Sequence, residues 1–246
     1  MNIVVMTVKG RLDLTRQCLV GLAKTAKQVI DKVVIVDAAM FPSSDFVDAA
    51  YARLWYGGDV IVITSTGCNI PEGWNTGISY ARDFVKVGAG DEKLIWLLNN
   101  DVEFIASGWL EKMEQRLREP GTGMVGTGAM SVFGLPFVTG GVWGFRLKVA
   151  DEVSETSEVL DNRLHFCCQD VDLSVRIAKA GYVVTHVPGI EWGEAPMLVH
   201  MISQTMLADH TEKQLYELRE PERKILIDKH GRRDGRSGYD GVVEGT

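Results

Sequence analysis

The residues best suited to chemistry are Asn99, Asn100 and Asp101, which follow the apolar run Leu94-Ile-Trp-Leu-Leu. A short run without a polar break reads as a strand buried on both faces, as inside a parallel sheet. Oxygen-bearing side chains at its carboxyl end stand where open α/β sheets bind ligands. A carboxylate there can hold a divalent cation, and a cation there can hold a diphosphate. The same triplet also suits a plain turn, since all three residues favour turns.

Gly73, Asn75 and Gly77 are expected at a loop-to-helix start, with the helix spanning 74–87. Glycine permits close backbone approach and a helix N-terminus favours phosphate. A capped, tightly packed helix explains the same residues. Asp172 is placed to pair with Arg176 at i, i+4.

The elements that must position these groups are readable from the pattern of apolar residues. Strands are expected at 2–7, 33–36, 59–64 and 94–98, alternating with helices at 12–28, 44–55 and 74–87. That βαβαβαβ order means a parallel sheet with right-handed crossovers. Ser107 can cap a helix over 108–118. Short strands, expected to be antiparallel, follow at 123–127, 130–138 and 142–148, and residues 150–166 read as a polar connection. A helix at 170–180 closed by Gly181 and a strand at 182–187 complete the core. Two helices are expected within 202–230, with Pro221 opening the second, and residues 231–246 read as a disordered tail.

Composition narrows the class. The 246 residues suit one α/β domain, with 46% hydrophobic and 24% charged residues. A net charge of −7 disfavours nucleic acid as a partner. The four cysteines, Cys18, Cys68, Cys167 and Cys168, match no zinc spacing and read as reduced thiols. With no apolar leader and no spanning-length apolar run, the expected location is cytoplasmic. Self-association is left open.

Taken in order, blocks of the chain resemble the GT-A glycosyltransferases, specifically family 2, which includes rhamnosyltransferase-like enzymes of bacterial glycans. The blocks are the first strand and helix with Arg11; Val33-Val-Ile-Val-Asp, ending at Asp37; and Asn69-Ile-Pro-Glu-Gly-Trp-Asn-Thr-Gly-Ile with Ala81-Arg82. Trp96-Leu-Leu-Asn-Asn-Asp-Val-Glu with Gly108-Trp-Leu follows, then Thr139-Gly-Gly-Val-Trp-Gly-Phe-Arg, then Gln169-Asp-Val-Asp-Leu-Ser-Val-Arg with Gly181-Tyr. The resemblance covers roughly residues 2–200. It implies a Rossmann-like, mostly parallel sheet with a small antiparallel acceptor-side sheet. Residues 1–101 would bind nucleotide and 102–200 would bind acceptor.

The resemblance also implies roles. Asp101 would hold Mn2+ or Mg2+, with His200 completing the site and His186 as the rival. Asn99 and Asn100 would contact sugar or ribose. Thr7, Arg11 and Asp37 would border the nucleotide, joined by Gly73 and Asn75. The aromatic residue that many relatives carry after the first strand is missing here. Trp143 would face the donor sugar, or else pack in the core. Asp170 would be the general base, or else merely cap its helix. The implied activity is inverting transfer of a hexosyl group from a UDP-, dTDP- or GDP-linked sugar to a hydroxyl on a glycan, lipid-linked glycan or small molecule. Two alternatives remain: a sugar-1-phosphate nucleotidyltransferase, of which Val8-Lys9-Gly10-Arg11 is a faint echo, and a non-catalytic nucleotide-sugar binder.

Overall fold

The computed structural model describes residues 1–38, 47–84, 92–165, 167–191, 194–201 and 211–231. Its strands are β1 (Asn2–Val8), β2 (Lys32–Asp37), β3 (Val60–Thr64), β4 (Leu94–Leu98), β5 (Val102–Phe104), β6 (Thr122–Val132), β7 (Leu135–Arg146), β8 (Val183–His186) and β9 (Leu198–His200). Its helices are α1 (Leu12–Ala26), α2 (Ala49–Tyr56), α3 (Ile70–Arg82), α4 (Trp109–Leu117), α5 (Leu147–Val153), α6 (Gln169–Lys179) and α7 (Glu212–His230).

The main sheet has the order β3-β2-β1-β4-β7-β6-β8. β7 runs antiparallel to β4 and to β6, and the other pairings are parallel. Both faces are covered, which is why the strands read as unbroken apolar runs. Val4, Met6 and Val8 of β1 pack with α1, α2 and α4 on one side, while Ile3 and Val5 pack with α3, α5 and α6 on the other. All of β4 is buried, from Leu94 to Leu98. Truncating one of its leucines to alanine would cost about 2–5 kcal/mol.

Several expectations need correction. α3 starts at Ile70, before Gly73, because Asn69 caps it. The Asn69 side chain accepts the Glu72 N–H at 2.9 Å and Glu72 accepts the Asn69 N–H at 2.9 Å. The expected three short strands are one long hairpin, β6–β7, joined to the main sheet; the separate small antiparallel sheet is β5–β9. The expected polar connection contains α5 and buries Val159, Leu160 and Leu164. Gly108, not Ser107, takes the cap position of α4. On α2, Tyr51 and Leu54, which the apolar spacing of 44–55 sets on one face with Phe46, Val47 and Ala50, are exposed to solvent, and Ala52 and Tyr56 face the core. A single helix runs through Pro221 where two were expected. The first residues of the expected 44–55 helix, the segment 202–210 and the tail from 232 lie outside the described residues.

α7 is strapped onto α6 by charge as well as by Leu226, which packs on Val171 and Val175. Asp172 is fully buried. It meets His230 at 2.8 Å, Lys229 at 2.9 Å and Arg176 at 2.9 Å. Burial alone would raise the Asp172 pKa; His230, Arg176 and Lys229 outweigh it and hold the carboxyl at about 2. A depressed carboxyl contributes stability that is present above its unfolded pKa of about 3.9 and is lost as pH falls through about 2. Asp172→Ala removes the carboxylate shared by Arg176, Lys229 and His230, leaving Arg176 without its buried counter-charge, and should lower unfolding free energy by about 3–5 kcal/mol in chemical denaturation.

Candidate active site

β4 delivers its terminal residues to the carboxyl edge of the sheet. The Asn99 N–H donates to the Gly141 carbonyl of β7 at 3.0 Å. Past Asp101 the chain enters β5, whose Val102 lies opposite His200 of β9. The Met201 N–H donates to the Asp101 carbonyl at 2.9 Å, so the two short strands are pinned at the site itself. That register sets His200 beside Asp101. Its Nε2 lies 3.2 Å from Asp101 Oδ1 and 3.1 Å from the Asn99 amide nitrogen. His186 is on β8, at the sheet edge, opposite Gly126. Of the two histidines, His200 is the one that meets Asp101.

A second carboxylate, not anticipated from the sequence, completes the cluster. Glu191 is buried, with Oε1 4.0 Å from His200 Nδ1. Its Oε2 accepts hydrogen bonds from the Thr127 hydroxyl and, at 3.3 Å, from the Gly141 N–H. Gly140 and Gly141 make this possible. Gly140 adopts φ +112°, and a Cβ there would collide with Thr127 and Glu191. A Cβ on Gly141 would come within 2.8 Å of the His200 ring and 2.5 Å of Val102. The glycine pair is therefore the floor on which His200 and Glu191 lie.

Asp170 sits in the first turn of α6, where the helix dipole favours a carboxylate. The cap position belongs to Cys168, which is left-handed at φ 72° and contributes no side-chain cap. Asp170 Oδ1 accepts the Val171 N–H at 2.9 Å. The residue keeps partial solvent access, yet protein surrounds the carboxyl. Burial pushes its pKa up to about 6, against the lowering pull of local N–H groups and of His200. Asp101 acts on Arg11, which heads α1 and pairs with the exposed Asp13 at 2.9 Å.

The other expected ligand contacts are placed differently. Gly73 lies inside α3, where a Cβ would meet Thr7 Cγ2 at 2.5 Å, so it serves packing of α3 on β1. The Thr7 hydroxyl faces the Ile70 carbonyl at 3.5 Å. Asn75 is buried and bonds the Leu160 carbonyl at 2.8 Å and N–H at 2.9 Å, holding the 159–162 loop. Neither Gly73 nor Asn75 is at the helix N-terminus. Asn100 is buried and donates to Thr15 Oγ1 at 3.2 Å, tying the end of β4 to α1. Trp143 is 3% exposed and packs edge-on against Trp74 in the core, so it offers no face to a sugar. Asp37 is fully buried and accepts the Val47 N–H at 2.6 Å, the turn-holding contact. Arg82 pairs with Asp151 at 2.7 Å.

No protein-family model matches this chain, and no curated protein does. Solved structures do. The chain is similar to the mannosyltransferase PcManGT from Pyrobaculum calidifontis, solved in complex with GDP-Man and Mn2+. The TM-score is 0.65 at 13% identity, covering 98% of this chain and 67% of that one. The fold is the GT-A fold. Glucosyl-3-phosphoglycerate synthase from Mycobacterium tuberculosis, in complex with Mg2+ and uridine-diphosphate, gives a TM-score of 0.58 at 10% identity, covering 96% and 81%. TarS of S. aureus gives 0.53 at 12% identity, with 97% of this chain spanning 41% of that one. At these identities the likeness is one of fold. Among the described residues, no helix is long and apolar enough to cross a membrane.

Proposed function

We propose that this chain is an inverting GT-A glycosyltransferase of the family 2 type, moving a sugar from a nucleoside-diphosphate sugar to an acceptor hydroxyl. The observation that carries the reading is His200. It stands 3.2 Å from Asp101, 3.1 Å from the Asn99 amide and 4.0 Å from Glu191, so the carboxyl end of β4 gathers metal-type donors in one cluster. The fold neighbours were solved with GDP-Man and Mn2+ or with Mg2+ and uridine-diphosphate, which supports a nucleotide-linked donor.

The residues fit a hard divalent cation. His200 Nε2 and Asp101 Oδ1 lie 3.2 Å apart, with the Asn99 amide nitrogen 3.1 Å from the same ring nitrogen, a nitrogen and an oxygen donor close enough to share one cation. Asp101 and His200 would hold Mn2+ or Mg2+, which when bound supplies charge neutralisation for the leaving diphosphate. Asp170 takes the acceptor proton as the acceptor oxygen forms its bond to the anomeric carbon and the bond to the phosphate oxygen breaks. Its raised pKa suits that task, because it is ionised at neutral pH yet basic enough to accept a proton. Arg11, near Asp101, adds positive charge at the mouth of the nucleotide side.

Glu191, with Oε1 4.0 Å from His200 Nδ1, would back the ring from the side away from Asp101, as carboxylates behind metal-binding imidazoles do. Glu191→Gln is expected to weaken Mn2+ binding by about 10–100-fold, read by calorimetry, with the melting temperature nearly unchanged. The reading as a whole is tested by a thermal-shift panel of UDP-, dTDP- and GDP-sugars with and without Mn2+. A metal-dependent rise in melting temperature for one donor class supports it. Release of pyrophosphate from a nucleoside triphosphate, with no sugar transfer, would favour the nucleotidyltransferase alternative instead.

A further inference from the structure

Where α7 covers the start of α6, Cys167, Cys168 and Glu222 converge. One ligand atom from each lies within 4.8 Å of the others. We propose that these three side chains form a second metal site, for a thiophilic divalent cation of which zinc is the natural occupant.

The chemistry of the donors separates this site from the Asp101 cleft. Two sulfurs and one carboxylate suit zinc, whereas the oxygen-rich cluster around Asp101 suits manganese or magnesium. The geometry is already gathered. Cys168 and Glu222 are buried, and the Cys167 N–H donates to Glu222 Oε2 at 2.8 Å, fixing that carboxylate beside the thiols. The left-handed φ of 72° at Cys168 turns the chain so that adjacent side chains face the same way, with sulfurs 2.9 Å apart. Tetrahedral ligation at about 2.3 Å sets two sulfurs about 3.8 Å apart, which a small side-chain rotation provides. The fourth position is left for water or an exogenous ligand.

In the metal-free chain, the neighbouring Cys168 thiol, burial and Glu222 hold the Cys167 thiol protonated. Zinc entry displaces thiol protons, so binding releases protons and weakens as pH falls. Occupation would clip α7 to the residues just before Asp170. The spacing is invisible in the sequence because the cysteines are adjacent and Glu222 follows Cys167 by 55 residues.

The test uses the full chain carrying Asp101→Ala, which removes competing binding in the cleft, titrated with Zn2+ under reducing conditions. The expected result is one equivalent bound per chain, sulfur in the first coordination shell by X-ray absorption, and a higher melting temperature. Adding Cys167→Ser with Cys168→Ser should abolish this binding, and Glu222→Gln should weaken it. The absorption measurement needs no cysteine variant, so a double variant that fails to fold does not blunt the test. Zinc bound without sulfur ligands would overturn the proposal. So would unchanged binding in a folded double variant, or a Cys167–Cys168 disulfide, lighter by two hydrogens, persisting in place of metal.

Discussion

Asp170→Asn is expected to lower the rate of sugar transfer by about 10²–10⁴-fold while leaving donor affinity close to that of the parent. The asparagine fills the same space and keeps an oxygen for the Val171 N–H, but it cannot take a proton. In the parent, transfer should fall as pH drops through about 6, where the carboxyl becomes protonated. The same group carries a stability signature of opposite sense to Asp172. Its folded pKa lies above the unfolded value of about 3.9, so the native state binds the extra proton between those values and stability declines as pH rises through them. Neutralising it should therefore leave the protein as stable as the parent, or more so, at neutral pH. Steady-state rates, donor titrations and melting temperatures of the variant check each part. Full turnover in the variant would remove Asp170 from the base role.

Asp101→Ala should abolish metal-dependent binding of the nucleoside diphosphate, a loss on the order of several kcal/mol when measured in Mn2+. In the presence of a chelator the variant and the parent should bind the nucleotide alike. The contrast matters because Asp101 also anchors the chain at the junction of β4 and β5, where its carbonyl accepts the Met201 N–H. That backbone bond survives the substitution, and binding measured in chelator reports whatever structural loss the missing carboxylate brings. Equal loss in both conditions would assign Asp101 to structure. His200→Ala should follow Asp101→Ala in direction.

What the sequence revealed follows its physics. β1, β2 and β4 are buried on both faces, and doubly buried strands advertise themselves as apolar runs. Asp101 stood out because a carboxylate directly after a buried apolar run is informative, whereas Asp170 and His200 were singled out through the family resemblance. β5 and β9 stayed hidden because three residues make no period, and their pairing depends on partners nearly a hundred positions apart. The start of α3 was misplaced because Gly73 and Gly77 looked like breaks. They are contact points for Thr7 and Val5, and the Asn69–Glu72 capping box upstream was the true signal. Pro221 suggested a boundary, yet contacts of Glu222, Leu226, Lys229 and His230 hold one helix through it. Glu191 lay in an irregular stretch, Gly189-Ile-Glu. Its only clue was a lone acid among apolar neighbours, and its role depends on the register of β9.

The most direct measurement of the central claim is the anomalous scattering of Mn2+ in a crystal grown with a nucleoside diphosphate. The expected result is a manganese peak bound by Asp101 and His200, touching the diphosphate, with the Asp170 carboxylate facing the same cleft. A peak elsewhere, or a diphosphate bound with Asp170 on a surface that does not open to it, would contradict it.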